Sequence, residues 1–458
     1  MRNTFELISP LDFRYAKGKL FEKAKPFLSE EARIKYCLEV EAAYVKALAE
    51  KGICSKAIAE EVELASKRIN AEQVYREEEK TKHDVKALVN CLKAAVSEEA
   101  KPFIHLGLTS YDVVDTANSL RYKHFVERVL LPELKALEKE LIKLALEHKR
   151  TLQIGRTHGQ FAEPITFGFA LAYYVERLGN RIVAIEAAKE ELAGKISGAV
   201  GAYNAISLFC DRPEELEQIT LKILGLKQAR CSTQIAPREP LVDLMNAIIS
   251  MLGVLANLAD DIRHLQRSEI AEVAEFFGSE QVGSSTMPHK RNPISFENIK
   301  SFWKAFMPRM LTIYMDQISE HQRDLSNSAS SRFTQEILFA SYYASNRMLR
   351  AISKLYVDSK AMRKNFEKAK DKIIAEPLYV LLSLQGLSDA HERIKRLALK
   401  ANNKNLLELA MNDPELKPYM QKIAATSMLL LKNPEKYIGI AEQKTTAVCE
   451  YWEKKLGL

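Results

Sequence analysis

The run from Glu239 to Glu275 constrains this chain more than any other. Pro240 suits the first turn of a helix, where its missing N–H costs nothing. The middle of the run reads Leu244, Met245, Ile248, Ile249, Met251, Leu252, Val254, Leu255 and Leu258. Those positions are apolar all round a helix, and a helix without a polar face must be covered on every side. Some 37 residues at 1.5 Å each reach about 55 Å. One bundle covers such a rod poorly, so the run predicts long helices packed together between subunits. Its uncharged part, Leu244 to Ala259, is 16 residues long and holds two Asn. That is short and polar for a bilayer, so no membrane association is expected.

The rest of the chain agrees on an all-α fold. Only 17 Gly and 15 Pro occur in 458 residues, below the usual shares of about 7% and 5%. Apolar residues make up 47%, enough for a large core. Ser29 can cap a helix to about Lys51, with Ile34, Leu38, Ala42, Val45 and Leu48 on one face and Gly52 as the stop. Long patterns follow at Asn118–Arg150, kinked near Pro132, and at Phe167–Gly194. A further pair runs from Pro293 to about Val357. Residues 1–27 read as irregular, and no strand-rich stretch stands out. After Asp358 the patterns shorten and charge density rises. The expected domains are 1–110, a central long-helix bundle at 111–357, and a small helical domain at 358–458.

Composition and motif searches exclude several function classes. Lys plus Arg is 67 and Asp plus Glu is 60, a mild net charge of +7. No basic block marks a nucleic-acid face. No two of the six cysteines stand closer than 17 residues, and the histidines form no i, i+4 pair, so no metal is expected. The glycine-rich run GKISGAVGAYN (194–204) lacks Walker spacing, and GxGxxG, HExxH and GxSxG are absent. No cofactor is implied. The N-terminus has no apolar signal core, so a cytoplasmic protein with reduced, mostly buried thiols is expected.

Four segments concentrate chemistry. GSSTMPHKRNP (283–293) packs hydroxyls, an imidazole, cations and a carboxamide between helix-breaking Gly283, Pro288 and Pro293. Such a loop can grip a carboxylate, with Lys290 for charge and Asn292 for hydrogen bonds, although an ordinary helix connection would have similar turn residues. RTHGQFAEPITFG (156–168) carries His158 just before a long helix. TKHDV (81–85) sets His83 between Lys82 and Asp84. RDLSNSASSR (323–332) puts two arginines around a Ser-rich turn, a candidate phosphate clamp or simply a helix start.

Together with TSYDVVDTA (109–117) and SPLDFRY (9–15), these segments resemble the fumarase/aspartase superfamily, helical lyases that release fumarate. Within it they are most similar to the adenylosuccinate lyases. The resemblance implies a three-domain all-α fold and a homotetramer with active sites shared between subunits. It implies β-elimination of fumarate from adenylosuccinate and from succinyl-aminoimidazole-carboxamide ribotide. It assigns Ser284 as the base that takes the succinyl Cβ proton and His158 as the acid for the leaving nitrogen. His83 is implied to support that acid or to orient the substrate, and Glu297 to assist His158. Lys290 and Asn292, with Thr109, Ser110 and Gln234, match carboxylate and substrate contacts, and Lys82 and Asp84 flank them. Arg14, Tyr15, Arg323, Ser328 and Arg332 match the phosphate contacts. Arg238, in STQIAPRE, has no firm role.

The chemistry agrees. Deprotonation at Cβ builds charge on a carboxylate, which a cation and amide donors stabilise. The amine leaves only if protonated, a task suited to His. The rivals are carboxymuconate cycloisomerase and argininosuccinate lyase, whose substrates lack a phosphate, and a non-catalytic helical scaffold, which would have no use for Ser284, His158 and Lys290 together.

Overall fold

The computed structural model describes residues 6–278, 286–287, 289–400 and 405–458. Helices dominate, and the described strands form three two-stranded pieces. The chain packs as two compact units, each woven from separate stretches. One comprises Met1–Lys135, Asn180–Leu255 and Ser301–Asn346. The other comprises Ala136–Gly179, Ala256–Lys300 and Arg347–Leu458. This partition by packing is of a different kind from sequential cuts near 110 and 357.

In the first unit the helix Glu30–Glu50 is central. The Ser29 hydroxyl accepts the Ala32 N–H at 3.1 Å, and Gly52 ends the segment at φ +73°. Its predicted apolar face is buried against Lys56–Ser66, Ser110–Phe125 and Pro213–Leu224. Of residues 6–27, expected to be irregular, much is helical. Gly18–Leu28 is a helix that buries Ala24 and Leu28, with Pro26 tolerated in its last turn. The predicted kink near Pro132 is a π-helical turn at Val126–Leu130, between Ser110–Phe125 and Leu131–Glu147. Such a turn releases the backbone bond that proline cannot make.

The long apolar helix is Glu239–Leu265, ten residues shorter than expected. Ala271, at φ +53°, turns the chain away. Nor is it apolar all round. Asp243, Asn246, Asn257, Asp261 and His264 form an exposed polar stripe, while the nine apolar residues are covered within a single chain. Its burial therefore does not itself require a second copy. By length and composition it could cross a membrane, contrary to the shorter stretch read from the sequence. Of its apolar window, 67% is buried inside the protein, as in a core helix.

The second unit holds a β-hairpin, Leu152–Thr157 with Gln160–Thr166, where the sequence showed no strands. Ser359–Glu367 packs against it. Ile374, Leu378, Leu382, Leu406 and their neighbours form a core of their own near the C-terminus. Gly179 lets the Trp452 indole approach to 2.3 Å from where a Cβ would stand. Three of the six free thiols, Cys37, Cys210 and Cys449, are buried, and Cys231 is exposed.

Candidate active site

A cavity of about 690 Å³ in the first unit gathers Lys82, His83, Asp84, Ser110, Gln234, Ser328 and Arg332. These come from four separate stretches of chain. Lys82 ends the helix Ala71–Thr81 in a left-handed conformation at φ 53°. His83 then starts the helix Asp84–Ala94, where its Nδ1 accepts the Lys86 N–H at 3.3 Å. Asp84 lies 3.7 Å from the Arg33 guanidinium. Ser110 opens the helix Ser110–Phe125, where the dipole favours an anion. The Gln234 side-chain amide donates to the Thr109 hydroxyl at 3.4 Å, joining two residues expected to hold substrate.

The cavity carries charge of both signs, with Glu30, Glu78 and Asp84 among its lining and Arg33 paired to Glu30 at 2.7 Å. Arg33, Lys82, Arg121 and Arg332 line it. Arg121 is only 3% exposed. Asn118 and the Tyr122 hydroxyl accept its N–H groups at 2.9 and 3.0 Å, and among the described residues no carboxylate pairs with it. Arg323 stacks over the Tyr111 ring at 4.3 Å and donates to the Tyr111 hydroxyl. Its Nε and NH1 are buried and have no partner among the described residues, which is costly unless a ligand completes them. Tyr15 meets Phe302 and Tyr343 edge-on at 4.9 and 5.1 Å, while Arg14 beside it is exposed.

The remaining predicted residues that the structure describes belong to the second unit. His158 and Gly159 form the two-residue turn of the hairpin, at φ +52° and +75°. Positive φ at both positions matches the twist of a tight hairpin. It puts the imidazole on an exposed tip. Behind the tip stands Glu272, with no exposed surface. Its carboxylate accepts from Arg156 at 2.6 and 3.3 Å, from Gln153 at 2.9 Å and from Asn365 at 2.9 Å. Lys290 is exposed, with its N–H bound to the Met287 carbonyl at 3.0 Å. Asn292 is half-buried. Glu297 is exposed in the first turn of Ile294–Phe306. The Glu275 carboxylate accepts the Ser295 N–H at 2.9 Å and so ties down the start of that helix. Ser284 lies outside the described residues.

A family model described as lyase matches residues 13–305, and one described as adenylosuccinate lyase C-terminal matches residues 319–437. An adenylosuccinate lyase of Pyrococcus horikoshii is 35% identical over 98% of this chain and 98% of its own. The chain belongs to the adenylosuccinate lyase family. A relative of that name from Archaeoglobus fulgidus is 32% identical, with 97% and 98% covered. Among solved structures, a 3-carboxy-cis,cis-muconate lactonizing enzyme from Pseudomonas putida matches with TM-score 0.83 at 22% identity, covering 95% of this chain and 98% of that one. A fumarate lyase from Mesorhizobium sp. BNC1 matches with TM-score 0.82 at 22% identity, over 94% and 97%. These two likenesses concern the fold.

For a member of the adenylosuccinate lyase family, reading the sequence missed Arg33 and Arg121 as cavity residues and Glu272 as the support of the His158 hairpin. A signal for Arg121 was available. Ser110, Val114, Asn118 and Arg121 recur at helical spacing, and all four line the cavity. Glu272 carried no such signal, since its partners Gln153 and Asn365 are 119 and 93 residues away.

Proposed function

We propose that this protein cleaves adenylosuccinate to AMP and fumarate, and succinyl-aminoimidazole-carboxamide ribotide in the same way. The partnerless Nε and NH1 of Arg323, buried in the unit that also holds Arg332 and Ser328, carry this reading. They suit a phosphate, which the substrates of both rival lyases lack. In the proposed reaction Ser284 takes a proton from the succinyl Cβ. The electron pair forms the fumarate double bond as the C–N bond breaks, and His158 gives the leaving nitrogen its proton. Lys290, Asn292, Thr109, Ser110 and Gln234 hold the succinyl carboxylates and stabilise the charge that builds there. His83 supports His158 or orients the substrate, Glu297 assists His158, and Lys82 and Asp84 border the substrate. Arg14, Tyr15, Arg323, Ser328 and Arg332 take the phosphate.

The test is an assay of purified protein with adenylosuccinate, argininosuccinate and carboxymuconate side by side, with products identified by mass spectrometry. Equal amounts of AMP and fumarate from the first substrate alone are expected. Turnover of either other substrate in its place would overturn the reading.

The proposal extends to a soluble, cytoplasmic homotetramer whose sites draw His158 and Ser284 from different subunits. An equal mixture of His158→Ala and Ser284→Ala proteins, unfolded and refolded together, should regain roughly a quarter of wild-type activity. A mixture as inactive as its parents, with mixed oligomers verified by native mass spectrometry, would rule out sharing.

A further inference from the structure

The glycine-rich run GKISGAVGAYN matches no nucleotide cradle, yet it lies behind Thr109 and Gln234. Lys195 in this run has no exposed surface. Its ammonium pairs with Asp112, equally buried, and donates to the Gly198 carbonyl at 3.2 Å. Asp112 is the third residue of the helix Ser110–Phe125. One of its oxygens accepts the Thr109 N–H at 2.8 Å. The carboxylate also accepts the Ser197 N–H at 3.0 Å and the Gly198 N–H at 3.2 Å.

The same run reaches the Gln234 segment. The Ser197 and Ser232 hydroxyls share a hydrogen bond of 2.7 Å. Gly201, at φ +80°, lies so close to Ser232 that a Cβ would stand 2.1 Å from its carbonyl oxygen. The Gln234 amide donates to Thr109. The contacts therefore close a ring: Thr109 to Asp112, Asp112 to the 195–198 backbone, Ser197 to Ser232, and Gln234 back to Thr109.

We propose that the buried Asp112–Lys195 pair is the positioning device of the corner that binds the succinyl carboxylates, fixing Thr109, Ser110 and Gln234 in register. This rests on the adenylosuccinate reading. Two physical needs explain the pair. Asp112 is the acceptor that holds three backbone N–H groups of two different segments. Alone, it would set a buried negative charge beside a corner that must take carboxylates. Lys195 cancels that charge, so the half-buried donors and the helix terminus keep a potential that suits an anion. A buried ion pair contributes little net stability compared with an apolar pair, so its work here is geometry and charge balance. Neither residue touches substrate.

The experiment compares Lys195→Met with wild type, using fumarate and AMP as competitive inhibitors of adenylosuccinate cleavage. Fumarate reports on the carboxylate corner and AMP on the phosphate contacts. The expected result is fumarate inhibition weakened by about ten-fold or more, the scale of one lost charge-assisted contact. AMP inhibition stays within about two-fold, and KM rises more than kcat falls. The double variant Lys195→Met/Asp112→Asn, neutral again, should regain part of the fumarate affinity. Equal losses for both inhibitors, or no loss for either, would overturn the assignment. If Lys195→Met does not fold, Ser197→Ala cuts only the link to Ser232. It is expected to weaken fumarate by a few-fold and leave AMP unchanged, and equal effects on both would again overturn the assignment. A wild type that cleaves no adenylosuccinate overturns the functional reading itself, and this inference with it.

Discussion

Asp112 and Glu272 are both buried carboxylates standing behind candidate active-site residues, but they hold their surroundings differently. Asp112 gathers backbone N–H groups of Thr109, Ser197 and Gly198, plus one ammonium. Glu272 gathers only side chains, those of Gln153, Arg156 and Asn365. A hub that binds backbone fixes the chain path, as a rigid anion-binding corner requires. A hub that binds side chains fixes a strand by its branches and leaves the turn beyond it exposed. His158 sits on such a turn. Under the proposed reaction the difference suits two tasks, holding a charged substrate end still and presenting a proton donor.

The largest expected effect breaks the delivery side outright. His158→Ala should lower kcat by about 10²–10⁴-fold, the range for losing a general acid, and Ser284→Ala should do the same for the base. Helical circular dichroism should not change, because His158 is an exposed turn residue. Near-normal turnover in Ser284→Ala would reassign the base.

A smaller effect sharpens the binding side. Arg332→Ala and Arg323→Ala should each weaken AMP by roughly 10–150-fold, equivalent to about 1.5–3 kcal/mol for a charge-assisted contact. Calorimetric titration with AMP gives the loss directly. Unchanged affinity in both would remove the phosphate clamp and favour a substrate without a nucleotide.

The smallest effect contrasts both hubs with a buried carboxyl that holds nothing. Glu138 is fully buried, and neither of its oxygens has a partner among the described residues. Burial, with Glu176 adding to it, pushes its pKa well above the usual carboxyl range. The folded protein therefore keeps a proton that the unfolded chain gives up. Stability from this group is complete below the unfolded pKa and is lost as pH rises through the folded one. Melting temperatures at about pH 5 and about pH 8 should fall further apart in wild type than in Glu138→Gln, which has no such proton. An equal pH dependence in both would mean that the carboxyl is charged in the fold.

What the sequence made legible follows from periodicity. Ile34 to Leu48 repeat at 3.6-residue spacing, and the helix lies where that spacing set it. The motif carriers Lys82, His83, Asp84, Ser110, Gln234, Ser328 and Arg332 line one cavity. Misreadings arose where a local signal was weak. The helix from Glu239 overran because it ends at Leu265 with no glycine or proline to mark the stop before Gly278. The hairpin escaped notice because its turn is His158–Gly159 and Pro164 sits within its second strand. The polar stripe of the long helix stands in the sequence as Asp243, Asn246, Asn257 and Asp261, but the apolar run between Asn246 and Asn257 masks its period. The hubs were invisible for a different reason. Asp112 and Lys195 are 83 residues apart, and nothing local in the chain announces that they meet.

The most direct measurement compares Glu272→Gln and Lys195→Met in parallel for kcat and for fumarate inhibition. If the two hubs serve separate tasks, the losses cross. Glu272→Gln lowers kcat by about ten-fold or more with fumarate affinity nearly unchanged, because His158 is misplaced while the anion corner stands. Lys195→Met weakens fumarate by a similar factor with a smaller loss of kcat. If both variants lose kcat and fumarate affinity to the same extent, the two hubs are one structural unit and the division of labour between them is wrong.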